Sequence, residues 1–157
     1  IIDMQKAFDQ LYSNNLVKRI VNTSSNYDIV IATKWINYKE SKFVKDLKYN
    51  RCLPGSKESE LHPEIEKIAD FIVESSQYSK LLPETEINSI LNTLNDDFVL
   101  DICGAEIDAC VLATAFSAWD LRYNFHILTH LCTTPLTIDH VNMLQLFSRE
   151  FGSKVLK

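Results

Sequence analysis

Short apolar runs rich in Val, Ile and Phe alternate along this chain with amphipathic stretches. That alternation is the pattern of βαβ units, which build a parallel sheet covered by helices on both faces. Strands are expected at Ile1 to Asp3, Asp28 to Thr33, Asp70 to Glu74, Phe98 to Cys103, Phe125 to Leu128 and Lys154 to Leu156. Several of these runs are continuous rather than alternating, as strands buried on both faces should be.

Helices are expected between them. Leu16, Val17, Ile20 and Val21 form one apolar stripe, and Ile65, Ile68 and Ala69 form another after His62-Pro63. After Pro83, the set Ile87, Ile90, Leu91 and Leu94 follows helical spacing, with Glu84 and Glu86 at the positive end of the dipole. The stretch from Asp108 to Leu121 is apolar on nearly every side, which predicts a buried helix packed through Ala109, Ala113 and Ala115. A last helix, from about Ile138 to Phe151, carries Val141, Leu144, Phe147 and Phe151 on one face and stops at Gly152. The segment from Lys34 to Leu61 is rich in Lys, Asn, Tyr and Ser and reads as an irregular crossover.

Composition narrows the partners. The 157 residues are 46% hydrophobic, enough for one core, so a single domain spanning residues 1–157 is expected. The chain opens inside the strand-like IIDM, which places the expected natural N-terminus upstream. Formal net charge is -5, which disfavours nucleic acid and anionic membranes as partners. No apolar run approaches the roughly 20 residues of a membrane span, and a soluble protein is expected. The four cysteines form no CxxC pair, which argues against a structural zinc and for reduced thiols in the cytoplasm.

In open parallel sheets, ligands bind beyond the carboxyl ends of the strands. That rule directs attention to Asp3, Thr33, Glu74, Ser75 and the Gly104 to Cys110 segment. Asp3 reads either as a functional carboxylate or as a helix N-cap. Cys110 falls in the first turn of the buried helix, where unpaired amides and the helix dipole stabilise a thiolate that could act as a nucleophile. The competing reading is a small apolar residue in an Ala-rich helix. Cys52, Cys103 and Cys132 are expected to pack, with Cys132 in a loop. Asp101 lies in the apolar run FVLDIC and should be a paired structural carboxylate. The four histidines are dispersed, so no metal site is expected.

Four stretches then resemble one family in order along the chain. IIDMQKAF resembles the strand-end Asp-Met-Gln of isochorismatase-like cysteine hydrolases. ATKWIN and LPGSKESELHPEI resemble their second strand and crossover, and ICGAEIDACVLATAFSAWDLRYNFHIL resembles their Gly-x-x-x-Asp-x-Cys-Val segment with the strand that follows. The resemblance implies a three-layer αβα fold with a mostly parallel, doubly wound sheet of six strands. It also implies amide hydrolysis through a thioester, with Asp3 as general base and Cys110 as nucleophile. A cis peptide is implied between Ala105 and Glu106, and an oxyanion hole built from the amides of Glu106 and Cys110. Phe8, Trp35, Asn37 and Tyr78 would bind a small-molecule substrate, with no cofactor. The stretch TKWINYKES lacks the Asp and histidines of the metal-dependent nicotinamidases.

One family residue is missing. The lysine of the resemblance should stand three residues before a Tyr-Ser pair, and VESSQYS puts Ser75 there. Lys80 is near in sequence but is expected to point elsewhere. Ile107 and His130 also depart from the family pattern. Two rival readings follow: a degenerate relative kept for binding or assembly, and a hydrolase of vinyl ethers such as isochorismate. The resemblance further implies a homo-oligomer, to which Trp35, Phe43 and Tyr49 of the crossover could contribute, unless they wall the pocket.

Overall fold

The computed structural model describes residues 1–94, 97–134 and 140–157. They fall into two units, one comprising Ile1 and Asp3–Gln77, the other Ile2 and Tyr78–Lys157.

The first unit begins with a 3-10 turn, Lys6–Leu11, followed by α1, Asn14–Ser24. Ser13 caps α1, its oxygen accepting from the Leu16 amide at 3.3 Å, and Val17 and Ile20 bury the predicted stripe. β1, Ile31–Trp35, pairs in parallel with β2, Phe71–Ser75, in the register Ile31 with Phe71 through Trp35 with Ser75. The crossover between them holds the single turn α2, Lys42–Lys45, a 3-10 turn at Lys57–Ser59, and α3, Pro63–Ile68. Proline at the first helical position suits α3, because its missing amide hydrogen would go unbonded there in any case.

β1 starts three residues later than apolarity suggests and runs to Trp35. The ladder with β2 carries it to Trp35, and there Gln5, fully buried, bonds the strand's other edge. Its Oε1 accepts from the Trp35 amide at 2.8 Å, while Nε2 donates to the carbonyls of Trp35 at 3.0 Å and Ser59 at 2.9 Å. Replacing it with leucine keeps the volume but strands a buried amide and two carbonyls. Each orphaned group costs about 1–3 kcal/mol, so Gln5→Leu is expected to lower unfolding free energy by about 3 kcal/mol or more. Urea titration followed by circular dichroism checks this, and a loss below about 1 kcal/mol would show the clamp to be dispensable. β2 departs from the expected double burial: Phe71, Ile72 and Glu74 are exposed, and only Val73 and Ser75 are covered.

The second unit is built on β3, Leu100–Gly104, and β4, Phe125–Cys132, again a parallel pair. β4 runs four residues past the predicted end, so Cys132 closes a strand instead of lying in a loop. A register shift between Ile102 and Gly104 brings Gly104 opposite Cys132. Asp101 is paired as expected, its carboxylate 2.7 Å from His126 Nδ1 on β4 and 3.4 Å from Lys157 Nζ.

Three helices complete this unit. α4, Glu86–Leu91, ends short of the predicted Leu94. α5, Cys110–Asp120, packs through Val111, Thr114, Ala115 and Ala118, not through the expected Ala109 and Ala113, and its Phe116 and Trp119 face solvent. α6, His140–Phe151, buries Met143, Phe147 and Phe151 and leaves Val141 exposed; the predicted start at Ile138 lies outside the described residues. Gly152, at φ +81°, ends α6 and leads into a 3-10 turn, Ser153–Val155, in place of the predicted strand. The terminal pair bonds the sheet, through the Leu156–Ile127 bridge and hydrogen bonds of Lys157 with Ile127 and Thr129.

The parallel α/β character predicted from the alternating runs is present. Of six expected strands, four form ladders and the first and last contribute single bridges, Ile2 with Gly104 and Leu156 with Ile127. No helix among the described residues is long and apolar enough to cross a membrane.

Candidate active site

In the first unit, Asp3 is wholly buried and adopts a left-handed backbone, φ +44°. Few residues other than glycine tolerate that region, and aspartate is among those that do. The conformation turns its amide onto Thr33 Oγ1 at 3.1 Å, and the Thr33 hydroxyl donates in turn to Asp3 Oδ1 at 2.6 Å. The carboxylate is therefore not a helix cap: the turn starting at Lys6 has Gln5 before it and no side-chain cap. Strained backbone of this kind concentrates where a side chain must be held for function.

Around Trp35 lies an aromatic cluster. Trp35 packs with Ala7 and Cys52, against Phe8, Phe43 and Tyr49. Its ring meets Phe43 edge-on at 4.7 Å and donates through Nε1 to the Ser76 carbonyl at 3.2 Å. Phe8 and Trp35 thus lie in one cluster. Asn37 has a different duty: its Nδ2 donates to the carbonyls of Tyr49 and Arg51, and its Oδ1 accepts from the Tyr38 amide and the Ser41 hydroxyl. Both donors and both lone pairs of that amide are spent on shaping the crossover. Ser75 lies at the end of β2, buried, with its hydroxyl donating to Gln77 Oε1 at 3.0 Å and accepting the Gln77 amide at 3.3 Å.

In the second unit, the turn from Gly104 to Cys110 joins β3 to α5. The Ala105–Glu106 peptide is cis. Gly104 stands at φ +120°, and a Cβ there would lie 2.1 Å from the Ile2 carbonyl oxygen. The Glu106 carbonyl accepts from the Ala109 and Val111 amides, folding the turn back onto the helix start. Cys110 is the first residue of α5, preceded by Ala109, which offers no side-chain cap. Its sulfur is in a partly exposed residue, whereas Cys52, Cys103 and Cys132 are all buried. Burial pushes the Cys103 and Cys132 thiols up, away from the thiolate form.

Tyr78 is exposed, and its phenol is pushed up by partial burial and then by the nearby Cys110, Glu106 and Asp108. These three groups therefore share one locality with the tyrosine. Glu106 is also pushed up, first by burial and then by Asp108. A carboxyl raised in the fold stabilises it in the neutral form, at low pH, and that contribution is lost as pH rises through the folded value. Glu106→Gln is thus expected to be more stable than the parent at pH 8, with the gap closing toward pH 4. Urea midpoints across that range check the sign, and a gap constant with pH would contradict it.

Lys80, near Ser75 in sequence, is completely buried. Among the described residues, no three His, Cys, Asp or Glu side chains gather as a metal site would require.

The isochorismatase domain family model matches residues 1–156, and the chain belongs to that family. Solved structures share its fold at low identity. An isochorismatase-like hydrolase from Alkaliphilus metalliredigens is 16% identical with a TM-score of 0.80, over 95% of this chain and 88% of that one. N-carbamoylsarcosine amidase from Thermoplasma acidophilum is 20% identical with a TM-score of 0.76, over 99% and 92%. The nicotinamidase of Bacillus subtilis is 20% identical with a TM-score of 0.78, over 99% and 96%. No match was found among curated proteins.

Proposed function

We propose that this protein is a cysteine hydrolase acting on a small amide or related carbonyl compound. The observation that carries the reading is Cys110: one partly exposed sulfur at the uncapped start of α5, directly after the turn that holds the cis peptide. Unbonded amides at a helix start favour a thiolate and can hold an oxyanion. Two of the similar structures are amidases by name, an N-carbamoylsarcosine amidase and a nicotinamidase.

In this reading Asp3 takes the proton of the Cys110 thiol, and the thiolate attacks the carbonyl carbon. The amides of Glu106 and Cys110 donate to the developing oxyanion. The C–N bond breaks as Asp3 returns its proton to the leaving amine, leaving a thioester. Water, deprotonated by Asp3, then attacks the thioester, the C–S bond breaks, and acid and thiol are released. Tyr78, which shares its locality with Cys110, supplies a polar edge for the substrate; Asn37 serves the scaffold. Ser75 at the family lysine position favours a second reading, a relative that keeps the fold for binding or assembly, in which a second copy of the chain is the first partner to look for.

The test is ammonia release from a panel of primary amides and carbamoyl compounds, nicotinamide included. Turnover of at least one is expected. A panel left untouched, with vinyl ethers cleaved instead, would overturn the amidase reading.

A further inference from the structure

Residues 38–51 form a closed loop on the first unit. At its base the Asn37 amide donates to the Cys52 carbonyl at 2.9 Å, while the Asn37 side chain holds the Tyr49 and Arg51 carbonyls. The chain thus leaves and returns at one point, the form of an Ω-loop, a surface element that often carries function. Phe43 and Tyr49 pack against the Trp35 cluster and fix the loop to the unit. α2 lies inside the loop and is followed by Lys48, whose backbone is left-handed at φ +57° and whose Nζ donates to the Lys45 carbonyl at 2.6 Å.

The loop presents charge of one sign. It holds five cations, Lys39, Lys42, Lys45, Lys48 and Arg51, against two acids, Glu40 and Asp46, a net of +3 that leaves -8 on the rest of a chain whose sum is -5. All four lysines are exposed, and among the described residues none of them forms an ion pair. Arg51 is paired with Glu58 at 2.9 Å. Beside the lysines stand Tyr38, 49% exposed, and Leu47, 65% exposed and the most exposed large apolar side chain among the described residues. The charge of the whole chain disfavours an anionic surface, but at physiological salt a charge is screened within about 8 Å. A surface touching the loop therefore meets the loop's own +3.

We propose that the 38–51 loop docks this protein on an anionic membrane surface. Lysine is a hydrated point charge on a flexible stem, suited to a diffuse layer of headgroups. Recognition of a defined phosphate favours the arginine fork, and the loop's single arginine is already paired. Protein interfaces are poor in lysine. A single-stranded nucleic acid needs successive free aromatic faces, and of the loop's three aromatic rings Phe43 and Tyr49 are engaged on Trp35. An exposed leucine adds nothing to a nucleic-acid contact, whereas at a membrane it enters the acyl boundary beside a tyrosine at headgroup level. This docking role is independent of the hydrolase reading.

The experiment is co-sedimentation of the full chain with vesicles of phosphatidylcholine alone or with about one-third phosphatidylglycerol, in about 0.05 M and about 0.3 M salt. Binding is expected on the anionic vesicles in low salt and not on the neutral ones. Each lysine near such a surface is worth about fivefold, so Lys42→Gln combined with Lys45→Gln should lower the partition coefficient about 25-fold. The higher salt should lower it about tenfold or more, and Leu47→Ser several-fold. The control removes two exposed cations of α1 in the same unit, Lys18→Gln combined with Arg19→Gln, and should bind within about twofold of the parent. Each variant is checked for folding by circular dichroism. A chain that stays in the supernatant with anionic vesicles overturns the proposal. So does an equal loss from the two double variants, which would assign the effect to net charge and not to the loop. Tighter binding to poly-L-glutamate or to a mixed-sequence single-stranded oligonucleotide, read by fluorescence anisotropy, overturns it in favour of that class of partner.

Discussion

Cys110→Ala is expected to lower amide turnover by about 10⁴-fold or more while the protein stays folded, since loss of a covalent nucleophile removes the route and not merely one contact. The fold should tolerate the change because the position is partly exposed and already flanked by Ala109 and Val111. Asp3→Asn should give a comparable loss: the asparagine Oδ1 can still accept the Thr33 hydroxyl, so geometry survives while the proton acceptor disappears. Steady-state kinetics on whichever amide is turned over, with thermal melts alongside, make the measurement. If Cys110→Ala retained more than a tenth of the parent rate, the thioester route would be excluded, and a carboxylate-driven cleavage of vinyl ethers would become the leading alternative.

Gly104→Ala should be the most damaging single methyl group in the second unit. Its added carbon would lie 2.1 Å from the Ile2 carbonyl oxygen and 2.7 Å from the Ile2 nitrogen, both backbone atoms in a chain segment hydrogen-bonded to β3. No side chain can swing away to relieve that overlap, and the φ of +120° is itself barred to alanine. A loss above about 4 kcal/mol is expected, enough to leave little folded protein. Gly55→Ala is the control, because its φ is also positive but nothing lies within 4 Å of the new carbon. Equal melting temperatures for the two variants would mean that the close approach of Ile2 is not what demands glycine at 104.

Much of this arrangement is written locally. The apolar runs located β1 to β4 to within a few residues, and Pro63, Ser13 and Gly152 mark helix boundaries through chemistry that operates over one turn. What escaped the pattern are interactions between residues far apart in the chain. Gln5 bonds the backbone of Trp35, 30 residues away at the end of β1, and apolarity carries no trace of that. Cys132 joins β4 because a register shift brings it opposite Gly104. The burial of Lys80 goes with a backbone anchor on Thr114, 34 residues on. Asn37 shows the converse: a polar residue beside a motif invites a binding role, yet four hydrogen bonds occupy it fully.

The chain has two tryptophans, and the fold assigns them opposite optical roles. Trp35, 4% exposed, belongs to the first unit; Trp119, 49% exposed, belongs to the second. Indole emission shifts red when the ring meets water, so denaturation should move the Trp35 band and leave that of Trp119 nearly in place. A fluorescence melt therefore follows residues 3–77, whereas far-ultraviolet ellipticity weighs every helix. Coincidence of the two curves would mean both units melt in one cooperative step, and separation would assign the earlier transition to one of them.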